Sequence, residues 1–260
     1  TALIESIEGK TGRPRLKPPF PAVVGVLGCP TIVNNVDTIA QVPHILERGA
    51  EAWKSIGLNG GTGTKLYGAS GRVKRPGLWE LPSGTNLQEI VYEHGGGPLD
   101  GREIKGVIPG GSSCPVLLPD ELDVAMTFDA MMKAGSMLGT GCAAVMDDQS
   151  CAVRLTARQM KFYAHESCGQ CTPCREGTHW LAKVITRIEE GHGTKGDIAL
   201  ALEVADNIQG NTICPLGDAA AMPARALLQK FEHEFQRHIE LQKCPFPAYA
   251  VDPSNAEITG

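Results

Sequence analysis

The chain has 260 residues, of which 42% are hydrophobic and 20% charged, and its net charge is -5. That length has room for two or three small domains. The acidic balance and the lack of a sustained basic stripe argue against a nucleic-acid surface, and no apolar run approaches the ~20 residues of a membrane span. No charged-then-apolar leader is evident, and nine cysteines without one suggest a reducing compartment, where thiols serve metal sites or packing.

Taken in chain order, Thr1 to Gly9 reads as a helix already under way and stopped by Gly9. A helix that opens without methionine or an entry signal leads us to expect a piece of a longer chain. Arg13 to Pro21 is a proline-rich loop with a preset backbone, able to hold Lys17 and Phe20 in place; a plain connector has the same composition. Cys29 to Thr38 then leads into a helical pattern through Ile39, Val42, Ile45 and Leu46. Asn34, Asn35 and Asp37 are each able to cap that helix. The same amides and free N–H groups could also hold a phosphate-bearing cofactor.

Beyond Gly60 the character changes. Thr64 to Val73 and Gly77 to Glu80 read as strands joined by the Arg75-Pro76-Gly77 turn. Thr85 and Gln88 form a capping box for a helix over Leu87 to His94, and Ile104 to Ile108 is a further strand. Strands flanking one helix predict a small α+β unit. From about residue 129 the pattern is helical apart from a strand around Cys142 to Met146. Helices are expected over Thr156 to His165, Gly177 to Glu190, Ile198 to Ile208 and Asp218 to Ile239, four in all.

Between the first two of these helices, Cys168, Cys171 and Cys174 are spaced three apart, and Cys214-Pro215 lies far downstream. Three thiolates on one loop can grip three corners of a cuboidal iron–sulfur cluster, and a remote cysteine can close the fourth. Structural zinc more often uses two separated pairs and is the alternative reading. Cys244-Pro245 competes with Cys214 for the fourth position. Cys214 is favoured because it precedes a helix N-terminus, whose N–H groups suit an anionic cluster, whereas Cys244 follows a helix at its negative end. Cys29, Cys114, Cys142 and Cys151 stand singly and read as small buried hydrophobes. Arg175 and Glu176 either adjust a cluster's surroundings or simply start the next helix. His165 and His179 bracket the loop.

These residues carry a family resemblance. Glu166 to Gly177, Arg15 to Ala22, Pro30 to Thr38 and Gly71 to Gly77 resemble, in the same order, motifs of the flavin- and NADH-binding F subunit of proton-pumping NADH:quinone oxidoreductase, complex I. The resemblance implies an α+β, multi-domain architecture. Residues 1–60 would be the C-terminal part of an α/β FMN- and NADH-binding domain, 61–128 a β-grasp, SLBB-like domain, and 129–260 a helical bundle carrying a [4Fe–4S] cluster.

It further implies that Val33, Asn34, Asn35 and Thr38 contact FMN, that Lys17 and Phe20 shape the NADH pocket, and that Cys168, Cys171, Cys174 and Cys214 hold the cluster. The implied activity is hydride transfer from NADH to FMN, then single-electron exit through the cluster towards quinone. Implied partners are the [2Fe–2S] subunit and the large iron–sulfur subunit of the peripheral arm. The implied location is the cytoplasmic side of a bacterial inner membrane, or the mitochondrial matrix side, without membrane insertion. The family's glycine-rich loop, followed by two glutamates, has no counterpart in these residues, so the chain alone is expected to bind flavin poorly and not to oxidise NADH. A diaphorase subunit of an NAD-linked hydrogenase or formate dehydrogenase shares the motifs. An electron-transfer or docking module without flavin chemistry is the reading from another class.

Overall fold

The computed structural model describes residues 1–246. Helix α1 (Ala2–Ile7) ends just before Gly9, which takes φ +75°, a conformation open to glycine and costly for other residues. Its carboxylates tie down the loop that follows: Glu5 pairs with Arg15, and Glu8 Oε1 accepts the Leu27 N–H at 2.8 Å. Of the three candidate caps for α2 (Val36–Arg48), Asn35 takes the role, accepting the Thr38 N–H at 3.1 Å. No residue of α2 is buried. A short helix, α3 (Ala50–Lys54), follows, and the Trp53 ring fills the space beside Gly63 that a Cβ would occupy.

Strands β1 (Thr64–Gly71) and β2 (Gly77–Pro82) form the expected hairpin, with Thr64 opposite Pro82 and Ala69 opposite Gly77. They join β3 (Ile104–Ile108) and β4 (Cys142–Asp147) in a sheet of order β2-β1-β4-β3. The β1–β4 pair is parallel and the β3–β4 pair antiparallel. A strand from the otherwise helical half of the chain therefore occupies the middle of this sheet. On one face lies α4 (Leu87–Glu89), extended by a wider turn over Ile90–His94. Leu87, Ile90 and Val91 are fully buried there in one cluster with Tyr67, Val107 and Val145.

The cap of α4 differs from the expected box. Thr85 is buried and its hydroxyl donates to the Pro82 carbonyl at 2.7 Å, so Asn86 caps instead, accepting the Gln88 N–H at 2.8 Å. The preceding turn consumes the threonine hydroxyl before the helix can use it.

After α5 (Phe128–Lys133) and β4 come α6 (Ala152–Glu166), α7 (Thr172–Glu189), α8 (Asp197–Ile208), α9 (Leu216–Lys230) and α10 (Glu232–Leu241). The long helix expected over Asp218 to Ile239 is two helices, broken at Phe231 (φ -118°, ψ 26°). Phe231 is 3% exposed, and its ring lies beside Gly106 of β3 and near the Lys105 ammonium. Seating that ring against the sheet outweighs continuing the helix. Helices α7 and α8 approach closely at Gly177, where a Cβ would stand 2.6 Å from the Ile208 side chain.

Asp197, at the start of α8, is 2% exposed. Its carboxylate pairs with Arg187 and accepts the Thr194 N–H at 2.8 Å and hydroxyl at 2.9 Å. Burial alone would raise its pKa; the Thr194 N–H, Arg187 and the Thr194 hydroxyl overcome that and hold it below the ordinary carboxylate range. A depressed folded-state pKa contributes stability that is present above the unfolded value, about 3.9, and is lost as pH falls through the folded value. We therefore expect Asp197→Asn to be less stable than wild type by about 1–3 kcal/mol near neutral pH. The gap between their urea midpoints should stay constant down to about pH 4 and shrink below it. A gap that widens on acidification would contradict this account.

Candidate metal centre

The cysteine loop is built from the ends of two helices. Helix α6 stops at Ser167, whose N–H still reaches the Tyr163 carbonyl at 3.1 Å. Gly169 then turns the chain at φ +77°. Cys171 is the N-cap of α7, with Pro173 in its first turn, where the missing N–H has no intrahelical role. Cys174 sits on that first turn and is 6% exposed. Cys214 arrives from the other side, directly before Pro215, the N-cap of α9.

Cys168, Cys171, Cys174 and Cys214 line one cavity of about 200 Å³, together with Ser167, Gln170, Thr212, Leu216 and, from the start of the chain, Ala2 and Pro14. Cys244 is not among them. Its sulfur lies 3.7 Å from Cys151 and 3.0 Å from Arg154 Nη2. His165 and His179 also point elsewhere: both line a separate groove with Lys161 and Lys183, and His179 Nδ1 meets the Arg175 carbonyl at 2.8 Å.

Several polar contacts at the sulfurs were not signalled by the cysteine spacing. The Ser167 hydroxyl lies 3.2 Å from Cys174 Sγ, and the Ile213 N–H points at Cys171 Sγ at 3.4 Å. Arg175 Nη1 donates to the Gly169 carbonyl at 2.7 Å, which braces the loop. Each of these groups adjoins a cysteine in sequence, and that adjacency was the one available hint.

The donor set fits an iron–sulfur cluster. Burial pushes the Cys174 thiol up, the Ser167 hydroxyl pulls against that, and the Cys214, Cys168 and Cys171 sulfurs push it further. Four thiolates so placed repel one another unless cations lie between them. A single tetrahedral zinc would draw its sulfurs to about 3.8 Å apart, given a Zn–S distance of about 2.3 Å. Among the described residues, no three of these four sulfurs lie within 4.8 Å of one another. A cuboidal cluster spreads its thiolates more widely, because each binds a different iron.

The positions implied for flavin and NADH are on the surface of residues 1–60. Phe20 is 57% and Val33 64% exposed, and Lys17, Asn34, Asn35 and Thr38 are exposed as well. Val33 to Thr38 are gathered at the N-terminus of α2. The Thr31 N–H bonds the Pro21 carbonyl at 2.9 Å, which brings the end of the proline-rich loop back to the approach to α2. No described contact links Lys17 or Phe20 directly to Asn34 or Asn35.

The chain is similar to known proteins in two of its stretches. The family described as NADH-ubiquinone oxidoreductase-F iron-sulfur binding region matches residues 154–238, a span that includes all four cavity cysteines. The SLBB domain family matches residues 69–117. The chain thus carries one stretch similar to an SLBB domain and another similar to that iron–sulfur binding region. Over 95% of its length it is 54% identical to the second F subunit of NADH-quinone oxidoreductase in Rhizobium meliloti (strain 1021), and covers 58% of that protein. The corresponding F subunit of Mycobacterium tuberculosis (strain ATCC 25618 / H37Rv) is 47% identical over 95% of this chain and 55% of its own. Over this stretch the chain is similar to F subunits of NADH-quinone oxidoreductase, and it spans between half and two-thirds of the length of these relatives. A crystal structure of an NAD+-reducing [NiFe]-hydrogenase in the H2-reduced state matches with a TM-score of 0.81 and 36% identity, over 98% of this chain and 43% of that one.

If these four sulfurs hold the cluster, Cys171→Ser should lower iron from about four per chain and destabilise the helical half, because ligand binding and folding are coupled. Iron analysis and thermal unfolding of anaerobically purified protein provide the check. Full iron with unchanged stability would remove Cys171 from the ligand set.

Proposed function

We propose that this chain is the electron-relay part of an NADH-oxidising flavoprotein subunit, with a [4Fe–4S] cluster held by Cys168, Cys171, Cys174 and Cys214. The observation that carries this reading is the ring of four sulfurs around one cavity. When bound, the cluster supplies a one-electron store, and FMN supplies conversion between two-electron hydride chemistry and single electrons. The chain's own residues hold the sulfurs and set their surroundings. The Ser167 hydroxyl and Ile213 N–H stand at sulfur atoms, where hydrogen bonds raise a cluster's potential by stabilising added negative charge. The N-termini of α7 and α9 add partial positive charge on the same side.

Ala2 and Pro14 line the cluster cavity, so the segment bearing Lys17 and Phe20 starts at the cluster. This supports a short path from a flavin at Val33, Asn34, Asn35 and Thr38 to the cysteines. The Asn35 side-chain oxygen is engaged as the cap of α2, which leaves its amide NH2 to donate to FMN. Partner subunits would take the electrons onward to quinone, at the cytoplasmic face of a bacterial inner membrane. Among the described residues, no helix is long and apolar enough to cross a membrane. A diaphorase role in an NAD-linked hydrogenase is the second reading, favoured by the structural match over nearly the whole chain.

The test is anaerobic purification with analysis of iron, acid-labile sulfide, zinc and flavin. About four irons and four sulfides per chain support the relay. Zinc replacing iron, without sulfide, would overturn it. In a full-length relative, the residue equivalent to Asn35 changed to Ala should lose flavin more readily, by about 1 kcal/mol of binding. Unchanged flavin retention on dialysis would count against the assigned contact.

A further inference from the structure

Helix α6 carries the cysteine loop at its C-terminal end and a second group of metal-binding side chains at its N-terminal end, about 22 Å away at 1.5 Å per residue. There, Cys151 Sγ lies 3.3 Å from His238 Nε2 and 3.7 Å from Cys244 Sγ. All three donor atoms fall within 4.8 Å of one another. A tetrahedral zinc ion binding two thiolates and an imidazole places its sulfurs about 3.8 Å apart and each sulfur about 3.5 Å from the nitrogen, from ordinary bond lengths. The Cys151–His238 and Cys151–Cys244 pairs already stand near those spacings.

The surroundings point the same way. His238 Nδ1 lies 2.7 Å from the Glu234 carbonyl, which can only accept, so Nδ1 carries the proton and the Nε2 lone pair faces the sulfurs. Metal-binding histidines are usually held in this way. Cys244 Sγ accepts from Arg154 Nη2 at 3.0 Å, and Cys151 Sγ from the Arg154 N–H at 3.3 Å. Both sulfurs therefore already face N–H donors, while burial pushes the Cys151 thiol up to about 12, so its ionisation requires a bound cation. Glu234, on the turn beside His238, accepts the Ala152 N–H at 3.0 Å and pairs with Lys105, which fixes α10 against the start of α6. Cys151 and His238 are 1% and 0% exposed, and the Phe246 ring stacks over His238 at 6.3 Å between centroids. Cys151 and Cys244 both lie outside the matched iron–sulfur region, residues 154–238.

We propose that Cys151, His238 and Cys244 bind one divalent ion of the zinc class, which clasps the segment after α10 to the N-terminus of α6. A water molecule would take the fourth position. Binding displaces one proton from each thiol, so two thiolates balance the dication. A direct Cys151–Cys244 disulfide is the competing chemistry, but it gives the oriented His238 lone pair nothing to bind.

The test is elemental analysis of the chain produced in zinc-supplemented medium, purified anaerobically and desalted, with Cys244→Ser in parallel. Cys244 is partly exposed and follows α10, so this variant should fold. We expect about one zinc per chain in wild type besides any iron. Cys244→Ser should lose that zinc while keeping its iron. Added zinc should raise the unfolding temperature of metal-stripped wild type and leave the variant unmoved. Absence of both zinc and a zinc-dependent shift in wild type would overturn the proposal. So would the two-hydrogen mass loss of a Cys151–Cys244 disulfide in the protein as isolated, or loss of iron together with zinc in the variant.

Discussion

Negative charges on sulfurs crowded into one small cavity repel one another unless positive charge lies among them, and the ends of three helices meet at such a cavity here. Burial and the neighbouring sulfurs both work against ionising Cys174. The opposing contributions come from outside the thiols: a serine hydroxyl, a backbone N–H and the starts of two helices. Without a cationic group the site is a collection of thiols held apart. A cluster bound there, as proposed, would give each sulfur a partner and join the ends of α6, α7 and α9. The close approach at Gly177, which sets α8 against α7, supports the same corner from behind.

The helices do not stand alone. Strand β4 lies between β1 and β3, and α6 follows it almost immediately. The break at Phe231 serves the same junction, since its ring packs against β3 while α10 turns back towards the start of α6. Sheet and bundle thus share a seam made of β3, β4 and the helix ends. The two ends of α6 then differ in kind. One carries four cysteines around a cavity, and the other a compact set of two sulfurs and one imidazole within 4.8 Å of one another.

Residues 1–60 pack less tightly than the rest. Leu16, Leu27, Ile32, Val36 and Leu46 are all more than two-thirds exposed. Their local structure is nonetheless specific: Asn35 caps α2, Glu8 holds Leu27, and Ala2 and Pro14 reach the cysteine cavity. Such a segment is ordered by polar contacts and presents apolar side chains outward. A flavin- and NADH-binding role would use a surface of this sort together with further protein.

The sequence by itself determined the α+β composition, the β1–β2 hairpin, the stop at Gly9 and the cysteine spacing, because each depends on chemistry within a few residues. The three-residue spacing placed Cys168, Cys171 and Cys174 on one loop, and the family motifs around them named the relatives. The helix-terminus argument favoured Cys214 as the remote cysteine, and the tertiary structure brings it to that loop while Cys244 goes to Cys151. Cys214 and Cys244 both precede proline, and the choice depends on where α9 and α10 fold. The break at Phe231 was invisible, since the apolar period runs through it and only the position of β3 gives the ring somewhere to go. Thr85 reads as the cap of α4, but the turn at Pro82 claims its hydroxyl and Asn86 caps instead. Cys151, His238 and Cys244 are 87 and 6 residues apart in sequence and no local pattern joins them. They meet because α10 packs back on α6, a contact made by side chains remote along the chain and close only in space.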